Sequence, residues 1–146
     1  MKIAVTGTFD PITNGHMEII NAARMVFKEV TVLLLINPDK QCHFSLSERI
    51  GMCKEAVSGM SGVKVDSSDG MAVDYCREHD IRFIMRGIRG ERDYNYELEM
   101  AKYNFEHGKI MTLFATSENP HITSGLVREM FEKNQDVSEL VPVRIK

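Results

Sequence analysis

Nowhere does this 146-residue chain run the roughly 18 apolar residues that a membrane span needs, and its first residues lack the charged-then-apolar layout of a signal peptide. On this reading the protein is cytoplasmic. Cysteine is scarce: Cys42, Cys53 and Cys76 are odd in number and show no C-x-x-C spacing, which excludes both a disulfide framework and a cysteine-held zinc. No H-E-x-x-H pattern joins His43, His79, His107 and His121, so no protein-held transition metal is expected. A basic excess is missing too. With 18 Lys and Arg against 21 Asp and Glu, the net charge of −3 argues against a non-specific nucleic-acid binder, while leaving room for a local cationic pocket. There is no linker, repeat or low-complexity tract, and residues 1–146 read as a single domain able to bury about two-thirds of its unfolded surface.

What the chain does contain is a regular alternation. Apolar, β-rich runs at 2–6, 30–36, 63–65, 82–85 and 110–115 are separated by segments with helical periodicity at 16–27, 47–58, 71–79, 92–106 and 124–134. This order predicts an α/β fold, Rossmann-like and doubly wound, with a mostly parallel five-stranded sheet and helices on both faces. Ser45-Leu46-Ser47-Glu48 fits a capping box that starts the second helix, and Gly59 and Gly62 are expected to end it. Met52, Met60, Met100 and Met111 read as adaptable filler for the core or for subunit contacts.

The densest signal is Gly7-Thr8-Phe9-Asp10-Pro11-Ile12-Thr13-Asn14-Gly15-His16, directly behind the first strand. A strand ending in glycine, a bend, and a second glycine opening a helix bring free backbone N–H groups and an imidazole to one point. Helix N-termini attract phosphate because their first amides lack intrahelical partners and the macrodipole is positive there. His16 is placed to donate to a phosphoryl oxygen. An ordinary strand-to-helix connection with a surface histidine would explain the glycine and histidine spacing alone.

Three further clusters follow other strands. Lys40 sits in the Asn37-Pro38-Asp39-Lys40 loop, where a solvated lysine is the default. Arg86-Gly87-Ile88-Arg89 carries two guanidiniums at a strand end, where their planar forks match phosphate oxygens; pairing with Glu91, Asp93 or Glu97 is compatible with that use. Ile122-Thr123-Ser124-Gly125 opens the last long helix with hydroxyls and a glycine, which suits either a phosphate tail or simple N-capping. Thr8, His16, Lys40, Arg86 and Arg89 all fall just after predicted strands, the end at which such sheets bind ligands.

Taken with Phe44-Ser45-Leu46-Ser47-Glu48-Arg49, the Asp93-to-Glu97 stretch and Ile122 through Glu129, these motifs resemble the phosphopantetheine adenylyltransferases of the Thr/His-x-Gly-His nucleotidylyltransferases, in order and approximate spacing over nearly the whole chain. The resemblance implies transfer of AMP from ATP to 4′-phosphopantetheine, giving dephospho-coenzyme A and pyrophosphate, with Mg²⁺ accompanying ATP, a homohexameric assembly, and coenzyme A as a candidate feedback ligand. By position it assigns Thr8, Lys40, Ala72 and Arg86, with Asn104 as a further candidate, to phosphopantetheine. To ATP it assigns Thr8, Phe9, His16, Gly87, Ile88, Arg89, Glu97 and the stretch Asn119, Pro120, His121, Ile122, Thr123, Ser124 and Gly125. His16, Lys40 and Arg86 are the expected catalytic residues, His16 stabilising the transition state. The chain departs from the family pattern at Asn119, where an aromatic is common, and at Gly125, where a third serine or threonine is common. The alternatives are a related nucleotidylyltransferase using nicotinate mononucleotide or glycerol phosphate, and a non-catalytic nucleotide-binding module.

Overall fold

The computed structural model describes residues 1–89 and 91–145, with the side chains of residues 91–93 left out. Its elements run β1 (Lys2–Gly7), α1 (Asn14–Val26), β2 (Glu29–Leu35), α2 (Leu46–Ala56), β3 (Val63–Ser68), α3 (Ala72–Glu78), β4 (Phe83–Ile88), α4 (Glu91–Gly108), β5 (Met111–Thr116) and α5 (Ser124–Glu132). The strands form one sheet in the order β3-β2-β1-β4-β5, and every neighbouring pair is parallel. Alternation along β1 shows the two covered faces. Ile3 and Val5 join the α1 and α2 side with Ile20, Ala23 and Cys53, whereas Ala4 packs on the α3 side with Val73 and Cys76. Burial of both faces explains why β1 and β2 read as unbroken apolar runs. The two buried thiols, Cys53 and Cys76, are pushed up to about 12 by desolvation, so they act as small apolar filler.

The chain winds outward from β1 to β3, then returns to β4 on the other side of β1, so the topological switch point lies between β1 and β4. Here the sheet opens. Pairing between these strands covers only Ile3–Val5 against Phe83–Met85, although β1 continues to Gly7 and β4 to Ile88. Beyond Met85, β4 stays with β5, matching Arg86 to Phe114 and Ile88 to Thr116, while Thr6 and Gly7 stay with β2. A wedge-shaped gap results at the carboxyl end of the sheet.

Two local expectations need correction. Arg86, Gly87 and Ile88 lie within β4 and not after it, because β5 keeps pairing with them. Gly59 and Gly62 do not cap α2, which ends at Ala56 with Val57 at φ −106°. Gly62 instead has φ +79°, and a Cβ there would lie 2.2 Å from the Lys28 carbonyl oxygen; its own carbonyl accepts from Val30 N at the entry to the sheet. The capping box at Ser45 forms as read, with Glu48 N donating to Ser45 Oγ at 3.1 Å and Ser45 N to Glu48 Oε1 at 3.2 Å. Of the methionines, Met52 and Met60 pack against the core, whereas Met111 is exposed on the edge strand β5.

Candidate functional site

The gap between β1 and β4 is a cavity of about 360 Å³. Thr6 and Gly7 form one side, Arg86, Gly87 and Arg89 the other; Thr8, Phe9, His16 and Lys40 line it, as do Ile122, Thr123, Ser124 and Gly125 from the start of α5. Ile88, Asn119, Pro120 and His121 are off its wall. Gly90 lies outside the described residues, and the side chains of Glu91 and Asp93, two of the partners the sequence offers for the arginines, lie outside the described ones.

The 7–16 loop owes its shape to several anchors. Phe9 adopts φ 54°, an uncommon region for a residue with a side chain, and buries its ring 4.7 Å from the His16 ring. The Asp10 carboxylate accepts from the amides of His43 (2.8 Å) and Phe44 (2.9 Å), tying the loop to the approach of α2; the peptide to Pro11 is cis. From α5, Arg128 Nη1 donates to Asp10 O and Ser124 Oγ to Pro11 O, each at 2.8 Å. Arg128 also lines the cavity and was not among the residues singled out by sequence.

His16 is held in one tautomer. Thr13 is the N-cap of α1, and its backbone N–H donates to His16 Nδ1 at 2.9 Å, with the Thr13 hydroxyl 3.2 Å from the same nitrogen. A ring nitrogen that accepts carries no proton, so the hydrogen is on Nε2. Burial, and then the nearby Arg89 and Arg86 charges, lower the imidazole to about 3. His16 is therefore a neutral hydrogen-bond donor. In a ¹⁵N NMR titration of the free protein its ring is expected to remain in the Nε2–H form across about pH 5–8, the range in which an ordinary histidine titrates; a His16 midpoint near 6.5 contradicts this. The sign for stability follows: unfolded His16 takes a proton below about 6.5 and folded His16 does not, so its contribution turns against the fold as pH falls from there toward 3.

The gap is bridged by Arg86. Its Nη1 donates to the Thr6 carbonyl, which lacks a strand partner on that side, while Nη2 and Nε reach the Glu97 carboxylate at 2.7 and 3.0 Å. Glu97, on α4, is 5% exposed, so its carboxylate is a fixed brace for the guanidinium. Lys40 is exposed at the opposite rim, with Nζ 3.4 Å from Thr8 Oγ1.

Two helix N-termini converge on the same space. In α1, Asn14 N and His16 N already have acceptors, which leaves the Gly15 amide at the cavity wall. At α5, Thr123 Oγ1 accepts from Leu126 N at 3.0 Å, leaving the amides of Ser124 and Gly125. Gly125 has room for a side chain, since a Cβ there would come no closer than 3.7 Å to Arg128 and Thr123. Asn119 acts elsewhere. Its side chain donates to Glu18 Oε1 at 2.8 Å, while Ser117 Oγ and Glu118 N donate to Oε2. These bonds hold the Glu18 carboxyl below its usual range and tie the 117–119 loop to α1.

A second, narrower slot of about 90 Å³ lies on the far side of the Arg86–Glu97 pair. Ala72 and Asn104 line it, as do Leu35, Ile84, Met100 and Thr112. Beyond the residues it shares with the larger cavity, it is apolar except for Asn104 and Thr112. Asn104 is 6% exposed, and the buried Thr112 hydroxyl has no hydrogen-bond partner among the described residues. Thr6, Arg86, Tyr96 and Glu97 line both spaces, which adjoin across these side chains.

Among the described residues, no three His, Cys, Asp or Glu side chains gather as a metal cage, and the carboxylates of Asp10 and Glu97 are engaged by amides and Arg86. Such a site suits a cation carried on substrate phosphates with few protein ligands. No helix among the described residues is long and apolar enough to cross a membrane.

Comparison with known proteins agrees with this chemistry. The cytidylyltransferase-like family model matches residues 4–130. Phosphopantetheine adenylyltransferase of Thermobifida fusca (strain YX) is 41% identical over 143 residues, covering 97% of this chain and 87% of that protein. The enzyme of the same name from Thermotoga neapolitana is 41% identical over 144 residues, covering 97% and 89%. That from Frankia alni is 43% identical over 143 residues, covering 93% and 88%.

Proposed function

Because this chain belongs to the phosphopantetheine adenylyltransferase family, whose activity serves coenzyme A biosynthesis, we propose that its cleft aligns ATP and 4′-phosphopantetheine for direct, in-line transfer of AMP. An oxygen of the acceptor phosphate forms the new bond to the α-phosphorus. The bond from that phosphorus to the bridging oxygen breaks, and its electron pair leaves with pyrophosphate; the other product is dephospho-coenzyme A. The attacking phosphate is already nucleophilic, so positioning and charge neutralisation supply the catalysis.

Donor geometry supports a role for each residue. His16 donates Nε2–H to an α-phosphoryl oxygen, and Lys40 adds positive charge from the other rim. Arg86, braced by Glu97, holds the acceptor phosphate at the junction of the two spaces. Arg89, the Thr123 hydroxyl and the amides of Gly15, Ser124 and Gly125 hold the β- and γ-phosphates. Ser124 contributes its amide rather than its hydroxyl, which is turned toward Pro11. Mg²⁺ enters with ATP as part of the substrate, neutralising phosphate charge. The apolar slot with Asn104 and Thr112 suits the amide-bearing arm of phosphopantetheine, beside Ala72. Phe9, Gly87, Ile88, Asn119, Pro120 and His121 complete the assigned nucleotide surroundings, Asn119 acting through Glu18.

The observation that carries this reading is the convergence of a neutral histidine donor, Arg86, Arg89, a lysine and two helix N-termini on one gap in the sheet. Residues 1–146 then act as one nucleotidylyltransferase domain, cytoplasmic and homohexameric. Exposed Tyr94 and Phe105 on α4 and Met111 and Phe114 on the edge strand β5 support self-association. Coenzyme A, which shares moieties with both substrates, is the proposed feedback ligand. A pyrophosphate-release assay tests the reading. Release is expected with ATP, Mg²⁺ and 4′-phosphopantetheine, and not with CTP and glycerol phosphate or with ATP and nicotinate mononucleotide. ATP binding without release from any acceptor instead supports a non-catalytic module.

A further inference from the structure

We propose that the segment at residues 136–141, beyond α5, is a positioning element for His16 and that it acts through Asn14. This inference rests on the adenylyltransferase reading of the cleft. Asn14 is the first residue of α1, two before His16. Its backbone N–H donates to Leu140 O at 2.8 Å, and its side-chain Nδ2 donates to Glu139 O at 2.9 Å. Consecutive carbonyls of one segment thus grip both donors of one residue.

The segment is itself fixed. Ser138 N donates to the Asp136 carboxylate at 2.9 Å and Leu140 N to Val137 O at 2.8 Å, which closes a turn. Val137 and Val141 are buried against Val127 of α5. Helix α5 also reaches the 7–16 loop directly, through Ser124 and Arg128. The segment therefore links the two helix N-termini that line the cavity.

Two consequences bear on the reaction. Leu140 O satisfies the first amide of α1, so the Gly15 amide is the one turned to the ligand. The grip also sets the position of the first turn, in which Thr13 N–H and His16 Nδ1 are paired at 2.9 Å. A donor that serves only the transition state loses effect when displaced by fractions of an ångström, whereas ground-state binding of two large substrates hardly changes.

Removing the side-chain grip tests this. Asn14→Ala is expected to lower kcat about 10-fold, with KM for ATP and for phosphopantetheine each within about 3-fold of the unaltered chain. In a His16→Ala background the same substitution is expected to change kcat by less than about 2-fold, because the positioned group is gone. Should Asn14→Ala not fold, Asn14→Asp keeps the shape, cannot donate, and carries the same test. The proposal is overturned if kcat stays within about 2-fold, if the loss falls on KM alone, or if it persists undiminished without His16. The adenylyltransferase reading fails separately, if the unaltered chain releases no pyrophosphate from ATP and phosphopantetheine.

Discussion

His16→Ala is expected to lower turnover about 10²–10³-fold at saturating ATP and phosphopantetheine, the usual consequence of removing one preorganised donor to a developing negative charge. The loss should be in kcat, because a neutral Nε2–H contributes most where charge accumulates on the α-phosphoryl oxygens and little to holding the ground state. Its stability cost is small by comparison. Alanine leaves the Thr13 amide without its Nδ1 acceptor and removes a neighbour of the Phe9 ring, together about 1–2 kcal/mol. Kinetics and thermal unfolding on the same preparation separate the two effects. Turnover within a few-fold of the unaltered protein removes His16 from the mechanism.

Arg86→Ala carries the second large effect, and it should show in both stability and activity. The guanidinium satisfies the Thr6 carbonyl and the carboxylate of Glu97, whose side chain is 7% exposed. Without it the buried carboxylate loses the cation that braces it. The side chain of Arg86 is itself 31% exposed, so water relieves part of that cost, and a loss of about 1–3 kcal/mol is expected. Turnover should fall at least about 10²-fold, with a raised KM for phosphopantetheine, because the acceptor phosphate loses its fork-shaped partner. Adding Glu97→Gln neutralises the stranded carboxylate. The double variant should regain most of the unfolding midpoint and none of the turnover. If turnover returns with stability, Arg86 is a structural brace only.

How much of this was legible in the sequence depended on how local each signal was. The strand and helix order could be read because strands covered on both faces are apolar runs, and the parallel sheet follows from their spacing. The Ser45 capping box was legible because Ser-x-x-Glu is complete within four residues. The matching box at Thr13 was not, since its reciprocal partner is His16, where that pattern expects Glu or Gln. Gly87 reads as a turn, yet it lies in a strand because β5 continues to pair after β1 has separated. That separation makes the cleft, and no local pattern encodes it. Arg128 on Asp10 and Glu18 on the 117–119 loop join residues about a hundred positions apart, so their roles emerge only from the packed fold. The phosphate-binding centre was readable because glycine, imidazole and guanidinium groups fell at strand ends. Its braces were less so.

The central claim is one displacement at one phosphorus, with both substrates in the same cleft and no covalent enzyme intermediate. Its most direct test is the stereochemical course of transfer from ATP made chiral at the α-phosphorus by sulfur substitution. Inversion of configuration in the dephospho-coenzyme A product is the expected result. Retention signals two successive displacements, and with them an enzyme nucleophile that a single in-line transfer excludes.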